Sequence, residues 1–187
     1  MAQQYLERAR EGLDRQAAIV SAMSEAQRLE GAVKTADWET IDLGEMLGYC
    51  TQGYRSVHPS RTIHLALPDE KCELRCAPEL IAQALDKLVD NAISLTGDDC
   101  EISISVNSTE DHCLISVANT GSLLPDVLPE QLFDSLVSLR KERGSGRHLG
   151  LGLHIVRLVA EAHNGFVSAR NLPDGKGVEF TISLPQD

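Results

Sequence analysis

Residues 101–106 alternate without a break, with Ile102, Ile104 and Val106 apolar against Glu101, Ser103 and Ser105. Further along, Val178, Phe180, Ile182 and Leu184 alternate in the same way with Glu179, Thr181 and Ser183. A period of two sends successive side chains to opposite faces, so each run is a strand with one dry and one wet face. Such strands need covering on one side only, the usual state of antiparallel sheets. Further strands are expected near 61–67 and 72–76. Pro78, suited to a first helical turn, opens a helix running to Leu95. Its Leu85, Leu88, Val89, Ala92 and Leu95 share a core-facing stripe. Asp42 is an acidic cap for a helix beginning Leu43-Gly44-Glu45-Met46-Leu47. Strands dry on one face and helices dry on one stripe pack as an α/β two-layer sandwich: a mixed, largely antiparallel sheet covered by helices.

One long helix precedes this sandwich, over residues 3–34. Leu6, Ala9, Leu13, Ala17, Val20 and Met23 begin an apolar stripe that drifts to Ile19, Ala22, Ala26, Leu29 and Val33. Gly12 costs that helix about 1 kcal/mol against alanine, so packing must hold it, and its length calls for a partner helix. The expected division is therefore residues 1–36 as a helical appendage and 37–187 as the main domain. Hydrophobic residues make up 42% of the 187 and aromatics only 4%, so the core must be aliphatic. No apolar run reaches the eighteen or so residues of a membrane span, and the first residues lack the charged-then-apolar layout of a signal peptide. A net charge of −11 argues against nucleic acid as a partner. The five cysteines, Cys50, Cys72, Cys76, Cys100 and Cys113, have no metal-ligand spacing and read as small buried thiols.

Chemistry concentrates in His148-Leu149-Gly150-Leu151-Gly152-Leu153, where two glycines lead directly into an amphipathic helix. Glycines at a helix entrance let backbone N–H groups approach an anion, and the helix dipole adds about half a positive charge there. Neither of the two commonest phosphate loops is present. Just upstream, Arg140, Lys141, Arg143 and Arg147 stand against Glu142 alone, a basic island where phosphate charge would need neutralising. Residues 119–149 form the one long irregular segment, and such loops are usually functional.

Upstream of the glycines lie Asp86-Lys87-Leu88-Val89-Asp90-Asn91-Ala92 in a helix, then Val117-Ala118-Asn119-Thr120-Gly121 at a strand end, then Leu132-Phe133. In that order the pieces resemble the ATP-binding catalytic domain of bacterial sensor histidine kinases: asparagine helix, adenine loop, phenylalanine motif and glycine-rich motif. The run Gly175-Lys176-Gly177-Val178-Glu179-Phe180 is similar to that family's last strand. The likeness spans roughly residues 40 to 185, and within the family it is similar to the kinase of the proteobacterial dedicated sortase system. It implies the histidine kinase-like ATPase fold, with ATP and Mg²⁺ as cofactors.

The resemblance assigns ATP binding to Lys87, Asn91, Asn119, Gly121, Phe133, Arg147, His148, Leu149, Gly150, Leu151, Gly152 and Leu153, with Asn91 also the metal ligand. An amide oxygen suits Mg²⁺, which keeps waters and bridges phosphates. The chain departs from the family at Lys87, Ser94 and Asn119, and in Ser122-Leu123-Leu124-Pro125, which replaces the second glycine of the adenine-loop motif. Lys87 stands where the family usually has a second asparagine and its gyrase and chaperone relatives a glutamate base. A protonated lysine cannot activate water as that glutamate does, so brisk ATP hydrolysis is not expected. Ser94 replaces a frequent lysine, and Lys87 is a place to which that phosphate charge could have moved. Asn119 replaces the usual adenine-binding aspartate; it still accepts a hydrogen bond but without charge assistance. Gly121 keeps the backbone clear of the base, and Phe133 anchors the loop.

None of the six histidines (His58, His64, His112, His148, His154, His163) is followed by Glu or Asp as in the phosphoacceptor pattern, and none lies in the first helix. The resemblance makes that helix the second of a dimerisation and phosphotransfer hairpin whose acceptor histidine lies upstream of Met1. The chain then reads as a piece of a protein-histidine kinase, inactive alone, from the cytoplasmic portion of an inner-membrane protein. Its implied partners are a response regulator and a second kinase subunit joined through the rest of the hairpin; membrane contact would come only through other segments. A serine-directing kinase of the anti-sigma type shares the fold, but the long first helix speaks against it. The other alternative is a degenerate nucleotide-binding sensor module without kinase activity, motivated by Lys87, Ser94 and Asn119.

Overall fold

The computed structural model describes residues 2–97, 99–121, 123–124, 129–134 and 152–186. In chain order these form α1 (Ala2–Thr35), β1 (Glu39–Asp42), α2 (Leu43–Val57), β2 (Thr62–Ala66), β3 (Glu73–Cys76) and α3 (Pro78–Leu95). Then come β4 (Glu101–Ser108), β5 (His112–Thr120), a 3-10 turn (Pro129–Phe133), α4 (Gly152–Ala162), β6 (Phe166–Asn171) and β7 (Gly177–Pro185).

Five strands make one mixed sheet in the order β2-β4-β5-β7-β6. Only the β2–β4 pair is parallel, joined by a crossover through α3; the other pairs are antiparallel. Register turns alternation into apolar rows. Ile104 lies beside Val117 and Val117 beside Phe180; the next row is Val106, Ile115 and Ile182. These six are at most 4% exposed. Helices α2, α3 and α4 pack against the sheet, α2 on β2 and β4, α3 on β4 and β5, α4 on β6 and β7. Leu88 is typical of the core they share: it is 1% exposed, so Leu88→Ala would cost about 2–5 kcal/mol. The strand expected at 72–76 exists, but it pairs with β1 in a separate two-stranded ribbon. The four-residue β1 has no alternating pattern to announce it.

Helix ends follow local chemistry. The Asp42 side chain accepts the Gly44 N–H at 2.9 Å, as an N-cap should. Just past α4, Asn164 adopts φ 57, with Gly165 N–H donating to Ala160 C=O at 2.8 Å and Asn164 N–H to Glu161 C=O at 3.0 Å. That is the Schellman pattern, in which an asparagine tolerates the left-handed region.

The last turns of α1 dock through Leu29, Ala32 and Val33 on the core and touch α4, whereas Leu6, Leu13, Val20 and Met23 are exposed. Among the described side chains, the predicted stripe is covered at its last turns and exposed toward its start. Among the described residues no helix is long and apolar enough to cross a membrane. The cysteines correct the expectation of five separate thiols: Cys72 and Cys113 form a disulfide between the segment before β3 and β5, while Cys50, Cys76 and Cys100 are free. Two cysteines 41 residues apart carry no local signal of pairing.

Candidate functional site

The C-terminal half of α3 organises the site. Leu88, Val89 and Ala92 point to the core, which leaves Lys87 and Asn91 half-buried one turn apart on the flank. The first residue of α4, Gly152, comes up against that flank. A methyl on Gly152 would lie 3.8 Å from Cβ and 3.9 Å from Cδ of Lys87. A lysine stem therefore lies beside a helix N-terminus, whose first N–H groups have no intrahelical acceptor. Asn91 Nδ2 is buried and has no hydrogen-bond partner among the described residues. An amide in that state lacks part of its bonding and is suited to a polar ligand. Ser94 donates back to the Asn91 carbonyl at 3.0 Å.

A second group stands at the end of the sheet. Asn119 continues the apolar side of β5, between Ile102 and Val178, and is 1% exposed. Its Nδ2 donates to Thr120 C=O at 3.2 Å, while Oδ1 is buried without a donor among the described residues. Gly121 adopts φ +107, a conformation that side chains resist, and donates its N–H to Lys176 C=O at 2.8 Å. A methyl there would sit 3.0 Å from Cys100 Sγ and 4.0 Å from Thr96 Cγ2. Gly177 lets β7 approach β5 at this point, since a side chain on it would run into the Asn119 carbonyl.

Lys87 and Thr96 thus mark the two ends of one wall, separated by about 13 Å at 1.5 Å of rise per residue. Lys87 and Gly152 meet at one end, with Asn91 one turn along α3; Gly121, Thr96 and Cys100, with Asn119 two residues before Gly121, gather toward the other. An extended ligand with an anionic end and a flat polar end matches such a layout.

Phe133 is buried and meets Phe180 edge-on at 6.2 Å. Its carbonyl lies 3.3 Å from His154 Nδ1, and Asp134 receives a hydrogen bond from Arg157 at 2.9 Å. Arg157 also holds Glu161 at 2.8 Å. The phenylalanine segment is thereby fastened to α4. Leu153 is half-buried against the core. Arg147, His148, Leu149, Gly150 and Leu151, together with the basic island, lie outside the described residues.

Sequence reading missed three contacts around the site. Arg61 wraps the last carbonyls of α3. Tyr54 on α2 donates to Asp86 at 2.5 Å, which ties α2 to the residue next to Lys87. Burial first, then Asp86, pushes the Tyr54 pKa up, so the phenol remains a donor. His163, buried after α4, accepts the Ala77 N–H on Nε2 at 3.0 Å and faces Val159 C=O from Nδ1 at 2.8 Å. Its ring lies 4.7 Å from Trp38, and burial lowers its pKa. Pro78, Glu79 in the first turn and an acceptor for the Ala77 N–H mark the start of α3, where no side chain among the described residues caps the helix.

Residues 76–187, more than half of the chain, match the family described as Histidine kinase-, DNA gyrase B-, and HSP90-like ATPase. The chain belongs to that family and carries the catalytic ATP-binding domain of the sensor histidine kinases. The sensor protein CreC of Escherichia coli strain K12 is 33% identical over 138 residues, covering 70% of this chain and 29% of CreC. The sensor histidine kinase CusS of the same strain is 27% identical over 179 residues, 94% of this chain and 36% of CusS. The chain thus spans about a third of the length of these relatives. Among solved structures, the catalytic domain of histidine kinase ThkA superposes with a TM-score of 0.70 at 24% identity, over 80% of this chain and 96% of that one. Full-length ShkA in complex with AMPPNP gives 0.73 at 21% identity, over 98% of this chain and 38% of ShkA. ThkA is also solved in complex with the response regulator protein TrrA, with a TM-score of 0.68 at 24% identity, over 88% of this chain and 49% of that one. At these identities the superpositions speak for the fold.

Proposed function

We propose that this domain holds ATP with Mg²⁺ so that the γ-phosphate is presented to a histidine upstream of the chain, and that a response regulator receives the phosphoryl group. The observation that carries this reading is a pair of buried amide atoms without hydrogen-bond partners among the described residues, Asn91 Nδ2 and Asn119 Oδ1, one toward each end of the α3 wall. Asn119 Oδ1, without a donor among the described residues, would accept one from an adenine edge, and Gly121, whose lack of Cβ avoids pressing on Cys100 Sγ, keeps the backbone clear of the base. At the other end, Lys87 and the N-terminus of α4 supply positive charge for phosphates. The resemblance assigns Arg147, His148, Leu149, Gly150 and Leu151 to the same phosphate-binding role. The Asn91 amide, turned about its last side-chain bond, offers an oxygen to the metal. Mg²⁺ would neutralise phosphate charge and leave the terminal phosphoryl group open to attack.

Catalysis of this kind is positioning and charge neutralisation rather than covalent chemistry by the domain itself. Lys87 also disfavours loss of the phosphoryl group to water, because it puts a cation where a carboxylate base would have to stand. Helix α1 is read as half of the hairpin that carries the acceptor histidine in a longer protein, paired with a second subunit. In that protein the domain would be cytoplasmic and tethered by membrane segments elsewhere.

Titration calorimetry with ADP and a non-hydrolysable ATP analogue, with and without Mg²⁺, tests the binding half. Labelled ATP tests the rest. The chain alone should acquire no acid-labile, base-stable phosphate, and a longer version with the upstream histidine helix should be labelled. Nucleotide binding with no labelling in either form would favour the sensor module without kinase activity. Brisk phosphate release by the chain alone would overturn the role given to Lys87.

A further inference from the structure

Arg61 stands between α2 and β2 and reaches to the far end of α3. Its Nη2 donates to the carbonyls of Ile93 and Thr96, each at 3.0 Å. Its Nη1 donates to the Thr96 hydroxyl at 3.4 Å and to the Gly97 carbonyl. Carbonyls at the end of a helix have no further turn to satisfy them and form the negative end of its dipole. A planar, permanently charged fork of donors can gather several of them at once, as an ammonium cannot.

The turn so gathered borders the candidate site. The Thr96 methyl and the Cys100 sulfur are the atoms that approach Gly121, and the Cys100 N–H closes the turn on Gly97 C=O at 3.2 Å. Arg61 thus stands directly behind the wall that faces the Asn119–Gly121 loop. Lys87 and Asn91 lie further back along α3, beyond the carbonyls that Arg61 holds.

We infer that Arg61 is a positioning residue for the nucleoside end of the site. It fixes how closely the turn after α3 packs on the Gly121 loop, and through that packing the recognition of the base. The phosphate end is left to Lys87, Asn91 and α4. This rests on the nucleotide reading above and adds to it a determinant of base selectivity that itself touches no ligand.

Competition of ADP and GDP against a fluorescent ATP analogue, with Mg²⁺, tests the inference on the wild type, Arg61→Gln and Arg61→Lys, with melting curves alongside. ADP affinity should fall about tenfold in Arg61→Gln and about threefold in Arg61→Lys, while GDP changes by less than about twofold, so that the preference for adenine collapses. An equal loss for both nucleotides, in step with the melting temperature, would show that Arg61 only stabilises the fold and would overturn the inference. Unchanged ADP affinity in a folded variant would do the same. If Arg61→Gln does not fold, Arg61→Lys decides, since it keeps a charge at the helix end and loses the fork. A wild type that binds neither nucleotide would remove the nucleotide reading itself, and this inference with it.

Discussion

Replacing Asn119 by alanine separates a ligand-binding amide from a structural one by the sign of two effects. In the ligand-free protein the buried Oδ1 has no donor among the described residues, and an unsatisfied buried acceptor costs about 1–3 kcal/mol. Against this stands one hydrogen bond, Nδ2 to Thr120 C=O at 3.2 Å, worth about 0.5–1.5 kcal/mol. Asn119→Ala removes both terms and leaves a small gap in the row with Ile102 and Val178. The stability of the free protein should therefore change by less than about 1 kcal/mol, or less than about 4 °C in melting temperature for a chain of this size. Binding responds differently. The adenine amine would lose its acceptor and be left buried, so ADP affinity should drop by about tenfold, or 1.4 kcal/mol. Asn119→Asp should instead destabilise the free protein and tighten ADP binding. A carboxylate at a site 1% exposed weakens the free protein, while a charge-assisted bond strengthens ADP binding. Calorimetric melting without nucleotide and titration with ADP measure the two effects separately. If Asn119→Ala melts well below the wild type and binds ADP as tightly, Asn119 is structural and the reasoning fails.

Asn91→Ala should weaken nucleotide binding about tenfold or more in Mg²⁺ and much less in EDTA, with melting nearly unchanged, because the buried Nδ2 has no bond among the described residues to lose. Equal losses in both buffers would show that the residue takes no part in metal binding. Acid should destabilise the domain through His163. Burial lowers its folded pKa, so its contribution to stability is complete above the ordinary histidine range and is lost as pH falls through the folded value. The urea midpoint should drop between pH 7.5 and 5 by more in the wild type than in His163→Gln, which cannot take up a proton there; equal drops would exclude His163 as the source.

Much of the sheet was legible because alternation is a local signal. Ile102, Ile104 and Val106 and the run from Val178 to Leu184 each needed only their neighbours to declare a face, and Pro78 and Asp42 marked helix starts by chemistry alone. Within the site, Lys87, Asn91 and Asn119 were marked by the resemblance of their motifs to the kinase family, and Asn91 also by being a polar residue in an otherwise apolar helix. What escaped was whatever depends on partners distant in sequence. Arg61 reads as one more solvated arginine in a polar turn, since its acceptors lie 32 to 36 residues away. His163 joins Ala77 across 86 residues, and nothing near either one announces the bond. β1 was missed for the opposite reason: four residues are too few to show a period.

The sheet closes in an order fixed by its connectivity. β7 lies between β5 and β6, so β6 has no neighbour in the sheet until β7 arrives, although it precedes β7 in the chain. A chain leaving the ribosome can form the β4–β5 hairpin early, yet α4 and β6 must wait for residues 177–185 before they have a sheet to lie on. The inner face of β5, with Val117 and Asn119, stays open on one side for the same interval. Synthesis therefore exposes an apolar edge until the last strand emerges. A truncation within β7 would remove the seam of the sheet rather than trim its border.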